Sequence, residues 1–100
     1  MYIPKLRSIE GAIRIYYENI ELSNKEIREL FVSRLGDNLS PATIVKLKKA
    51  VLEEAAKRKI LMWETGCVNT KLAFEVWGLD IQDLEKRFMK LQKFAKKEAV

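Results

Sequence analysis

Three times in this chain a leucine stands directly before a helix-capping side chain, at Leu22-Ser23, Leu39-Ser40 and Leu79-Asp80. Each time an apolar residue (Ile27, Ile44, Leu84) falls where it can close a hydrophobic staple over the capped turn. A helix leaves its first backbone N–H groups unpaired, so a cap with a staple states locally where a helix begins. Ser40 is the strongest of the three, because Pro41 suits the first helical position, where its missing N–H would have no partner anyway.

The stretch after Ser40 also says most about surface. At about 100° per residue, Ile44, Leu47, Val51 and Ala55 make one stripe that Val45 and Leu52 widen, while Ala42, Lys46, Lys49 and Glu53 fall opposite. The pattern predicts a helix over 41–59 with a core side and a free, lysine-bearing side.

The other elements follow from the same signals. Ile9, Ala12, Ile13, Tyr16, Tyr17 and Ile20 recur at helical spacing and predict a first helix from about Ser8 to Glu21, with Ile15 off the stripe and exposed. Ser23 with Glu26 opens a second helix that presents Ile27, Leu30, Phe31, Arg34 and Leu35 before Gly36 breaks it. Ile60-Leu-Met-Trp63 reads either as one strand of a minimal wing near 60–68, paired with Cys67 and Val68, or as the buried end of the third helix. The second reading is favoured, since two residues before Asn69 are short for a return strand. Asn69 or Thr70 caps a short fourth helix that Gly78 stops. Asp80 and Asp83 favour the positive end of a fifth, whose stripe is Ile81, Leu84, Phe88, Leu91 and Ala95, with Lys86, Lys90, Lys93 and Lys97 opposite.

Helix-favouring residues dominate, and no run alternates with period two. The expected fold is therefore all-α, a compact bundle of about five helices forming a single domain over 1–100. Hydrophobic residues at 48% suffice for one modest core. With a single cysteine, Cys67, there is no intrachain disulfide, and with no histidine the usual zinc sites cannot be assembled. A reducing, cytoplasmic setting fits that usage best. No apolar run approaches the roughly 18 residues of a membrane span, and Met1-Tyr-Ile-Pro-Lys5 is not a secretory signal, so a soluble chain without a membrane partner is expected. The net charge of +5 permits an anionic partner without requiring one.

Catalysis has little to stand on. Cys67 has no identifiable base, and Glu53 and Glu54 point in different directions on one helix. No glycine loop suited to phosphate is present, so neither an enzyme, nor a cofactor, nor a small-molecule ligand is implied.

Ser23-Asn-Lys-Glu-Ile27 with Leu30, Phe31 and Gly36, followed by Ser40-Pro-Ala-Thr-Ile44 and Leu47, resembles the helix-turn-helix superfamily of DNA-binding proteins over 22–59. In size and architecture the chain is loosely similar to the small helix-turn-helix proteins of phages and mobile elements. The resemblance implies a homodimer acting as a transcriptional regulator on double-stranded DNA, with the seam at helix one or the Phe88, Leu91 and Phe94 region. It places the free N-terminal half of the third helix in the major groove, with Lys46 and Lys49 meeting phosphates or guanine, Thr43 and Ala42 contacting base edges or a thymine methyl, and Ser40 with the helix N-terminus holding a phosphate.

A second helix-turn-helix-like stretch spans Asn69 to Arg87, within a C-terminal helical pair over 69–97. Phe74 there stands where the motif wants a small residue, and Asp80 and Asp83 would face phosphate, so it reads as structural. Lys86, Lys90, Lys93 and Lys97 form a secondary basic surface whose plain explanation is solvation of an outer face. The rival to DNA binding is a helical protein-interaction module, such as a phage accessory factor docking on a host protein. A large exposed apolar patch spanning Ile15, Tyr17 or Trp63 with a covered third helix would favour that rival, and a free, basic third helix would favour DNA.

Overall fold

The computed structural model describes residues 3–33, 35–61 and 66–98, with side chains through Phe94. The order is β1 (Lys5–Leu6), α1 (Ile9–Glu18), β2 (Glu21–Leu22), α2 (Asn24–Leu30), β3 (Phe31–Val32), α3 (Pro41–Arg58), β4 (Val68–Asn69), α4 (Thr70–Val76) and α5 (Ile81–Glu98). The protein is mostly helical, but not purely so. β1 pairs antiparallel with β3, setting Leu6 opposite Phe31, and β2 pairs antiparallel with β4, setting Leu22 opposite Val68. Strands of two residues carry no readable alternation, which is why the sequence hides them.

The helix starts lie where the caps put them. Ser40 Oγ accepts the Thr43 N–H at 3.3 Å, Asn69 Oδ1 accepts that of Leu72 at 2.9 Å, and Asp80 Oδ1 accepts those of Gln82 and Asp83 at 2.9 and 3.3 Å. At Ser23 the Glu26 carboxylate accepts from both the backbone N–H and the hydroxyl, at 3.4 and 2.6 Å. Gly78, at φ +74, supplies the left-handed stop between α4 and α5.

The ends differ more. α1 closes at Glu18 as Asn19 turns extended, so Ile20 loses its phase with the stripe and is exposed, as is Tyr17. Ile15, expected outside, is only 7% exposed, because α1 packs against both α2 and α5 and buries a wider arc than one stripe. α2 closes at Leu30, and Phe31 is buried as a strand residue; Leu35 is 89% exposed instead of closing the helix, and Arg34 lies outside the described residues. α3 ends at Arg58 through Lys59 at φ +56, and the Ile60 N–H returns to the Ala55 carbonyl at 3.0 Å. Leu61 is exposed, so 60–61 is not simply a buried helix end; Met62 and Trp63 lie outside the described residues. Where a wing would have paired Val68 with 60–63, the strand it joins is β2.

The buried side chains form one cluster in which Leu22, Ile27, Leu30, Phe31, Ile44, Leu47, Val51, Val68 and Phe74 are almost wholly enclosed. Tyr17 near the end of α1 donates its hydroxyl to Glu85, while Ile9 at its start lies beside Leu91 and Phe94. α1 and α5 therefore run antiparallel. Of the predicted stripe on α5, Leu84 is buried, Ile81 and Phe88 are half-buried, Leu91 is exposed, and the side chain of Ala95 lies outside the described residues. No described helix is long and apolar enough to cross a membrane.

Candidate nucleic-acid interface

The segment leading into α3 is held by a residue far from it in sequence. Arg7 Nη2 donates to the Arg28 and Phe31 carbonyls at 3.0 and 3.3 Å and to Asn38 Oδ1 at 3.2 Å. Its own N–H donates to the Leu30 carbonyl at 2.9 Å. A cation among the last carbonyls of α2 complements that end of the helix, and its reach to Asn38 fixes the approach to Ser40. Ser33 closes the intervening turn, donating its N–H to the Asp37 carbonyl at 2.8 Å and accepting the Asp37 N–H on Oγ at 3.1 Å.

α3 is anchored along its back. Ile44, Leu47, Val51 and Ala55 are buried, and the Leu47 carbonyl accepts the Trp77 indole N–H at 3.1 Å. At the far end Arg58 pairs with Glu54 at 2.9 Å and reaches across to α4, donating to both oxygens of Glu75 at 2.9 and 3.1 Å. Hydrogen bonding to Arg58 and its charge hold the Glu75 carboxyl below the usual range, while Glu75 and then Glu54 raise the Arg58 guanidinium further.

The front of α3 is open. Ala42, Lys46, Lys49 and Glu53 are exposed, as the periodicity predicts. Val45 and Leu52 are exposed with them, against expectation; Val45 is 63% exposed. The stripe that the fold buries is narrower than the apolar arc in the sequence, because the described residues cover α3 along Ile44, Leu47, Val51 and Ala55 and leave the flank of Val45 and Leu52 exposed. Ala42, Val45, Lys46 and Lys49 fall within an arc of about 100° centred opposite the buried stripe. From Pro41 to Leu52 the helix carries no carboxylate, and the first acidic residue on its front is Glu53.

Ser40 and Thr43 are brought together, their hydroxyls 2.9 Å apart in a hydrogen bond, so Thr43 is turned toward the cap and only half exposed. Two residues that the periodicity did not single out join them. Lys48 Nζ donates to Asn24 Oδ1 at 3.0 Å, tying the start of α2 to α3, and both border a shallow hollow with Val45, Lys49 and Leu52. The contact spans 24 positions, and nothing local in the sequence signals it.

The other candidate regions separate from this one. Within 69–87, Leu72, Ala73, Phe74 and Trp77 are buried in the core. Lys86, Lys90 and Lys93 are exposed along α5, and the side chain of Lys97 lies outside the described residues. Among the described residues no group of histidine, cysteine, aspartate and glutamate is arranged to hold a metal ion. Comparisons with protein-family models, with curated proteins and with solved structures find no match to this chain.

Proposed function

We propose that the protein binds double-stranded DNA as a helix-turn-helix regulator of phage type, α2 and α3 forming the motif and the N-terminal half of α3 entering the major groove. The observation that carries this reading is the division of α3: its back is fixed by the core, Trp77 and Arg58, while its front from Ala42 to Lys49 is exposed, cationic and without carboxylates. A rigidly mounted helix with one free basic face suits groove insertion, where phosphate contacts orient and side chains on the helix front meet base edges. In this reading Lys46 and Lys49 contact phosphates or guanine, Ala42 contacts base edges, and the paired Ser40 and Thr43 hydroxyls lie at the helix start, where phosphate is favoured.

The test is selection of bound sequences from a random duplex pool by the full chain, followed by titration of an enriched duplex. Enrichment of a defined sequence over scrambled duplex is the expected result; no enrichment would remove the reading. The interaction-module alternative is supported by a separate observation. Leu91 and Phe94 stand exposed on α5 beside Ile9, flanked by Arg87 and Lys90. The same surface is where a homodimer seam would fall.

A further inference from the structure

We infer that Val45 is a specificity-determining residue that reads the C5-methyl group of a thymine in the major groove; this rests on the proposed DNA-binding role of α3. Val45 is 63% exposed, although the same helix buries Ile44 and Leu47 on either side of it in sequence. Ala42, Lys46 and Lys49 continue the front of α3 on one side of it and Lys48 borders it on the other, so the aliphatic group stands at the edge of a cationic face. Asn24, Lys48, Lys49 and Leu52 border the hollow beside it. The positive charge on this face selects a polyanion, and among the groups that base pairs present in the major groove the thymine methyl is the apolar one.

The chemistry of the side chain fits that role. A β-branched residue in a helix is almost confined to one χ1 rotamer, so Val45 presents its methyl groups in a fixed direction with little freedom left to lose on contact. Lys46 and Lys49, long and mobile, are suited to charge and less to discrimination between bases. Of the other β-branched residues at the start of the helix, Ile44 is buried and Thr43 is half-buried with its hydroxyl engaged by Ser40. The apolar part of the readout therefore falls to Val45, with Ala42 beside it.

The test uses the full chain and a duplex that it enriches from a random pool, with each thymine replaced in turn by deoxyuridine, which removes only the methyl group. For the wild-type chain, replacement at one or two thymines is expected to lower affinity about fourfold, the equivalent of one buried methyl. Val45→Ala should lower affinity for the thymine duplex by a similar factor and be insensitive to deoxyuridine at those positions. Because the side chain is exposed, the variant should keep the wild-type thermal melt. If every deoxyuridine duplex binds as tightly as its parent, or if Val45→Ala responds to replacement as the wild type does, the inference falls while the DNA-binding reading stands. If no duplex is enriched, both fall. Self-association of the chain that Val45→Ala weakens, without any response to deoxyuridine, would assign this face to a second copy and overturn the inference.

Discussion

The indole N–H of Trp77 donates to the main-chain carbonyl of Leu47 at 3.1 Å inside the core, fastening the end of α4 to the middle of α3. The Trp77 ring packs edge-on against Phe31 with centroids 5.4 Å apart, so one side chain joins α3, α4 and β3. Trp77→Phe keeps an aromatic ring and loses the N–H. It should cost about 1–2 kcal/mol from the hydrogen bond and the smaller volume, against roughly 3–5 kcal/mol for Trp77→Ala. Urea denaturation of the two variants measures the difference, and equal losses would show that the aromatic ring kept by Phe contributes nothing to stability.

The two faces of α3 predict opposite sensitivities. Leu47→Ala should lose roughly 2–5 kcal/mol through lost burial and the cavity left behind, while Lys46→Ala one residue earlier should stay within about 0.5 kcal/mol of wild type. Similar losses in chemical denaturation would mean that the faces are wrongly assigned.

Thr70 offers a prediction of the other sign. Its Oγ1 is buried without a hydrogen-bond partner among the described residues, while its backbone N–H reaches the Ile20 carbonyl at 3.0 Å. Thr70→Val keeps the shape and the backbone bond and removes the unpaired hydroxyl. It is expected to be neutral or to stabilise by about 1 kcal/mol. A clear loss of stability in urea would show that the hydroxyl is bonded in solution.

The Arg58–Glu75 pair sets a direction for pH dependence. Glu75 has its carboxyl pKa lowered in the fold, chiefly by the hydrogen bond from Arg58. Its contribution is therefore fully present above the unfolded-state value and is lost as pH falls through the lowered folded value. The stability difference between wild type and Glu75→Gln should be largest near pH 7 and shrink below about pH 4, while Arg58 stays charged throughout. Both side chains are well exposed, so the effect is small and screened by salt. Urea midpoints at several pH values measure it, and a difference that grows on acidification would contradict the assignment.

Binding should report the lysines separately. On an enriched duplex, Lys46→Ala and Lys49→Ala should each weaken affinity, and a lost phosphate contact should reduce the salt slope by about 0.9. Lys90→Ala with Lys93→Ala tests the α5 surface in the same titration. Unchanged affinity and slope in both α3 variants, with folding intact, would leave the interaction-module reading in front.

The helix starts at Ser23, Ser40, Asn69 and Asp80 were legible in the sequence because a cap and its partners lie within one turn, so the physics that forms them is local. The buried centre of α3 was legible for a similar reason, since Ile44, Leu47, Val51 and Ala55 repeat at the helical period. The lysines and Ala42 on its front followed from the same wheel. Those features were determined by the order of residues alone.

The tertiary structure decided the width of each buried face. Ile15 is enclosed because α1 has neighbours on two sides, and Val45 is 63% exposed because the described elements leave that flank of α3 open, though both are aliphatic residues beside an apolar stripe. It also decided the contacts that join distant segments: Arg7 on carbonyls at the end of α2, Lys48 on Asn24, Trp77 on Leu47, and the pairing of Leu6 with Phe31 and of Leu22 with Val68. A periodic pattern specifies a direction around one helix, but burial depends on which other elements arrive there, and that is settled only when the whole chain packs.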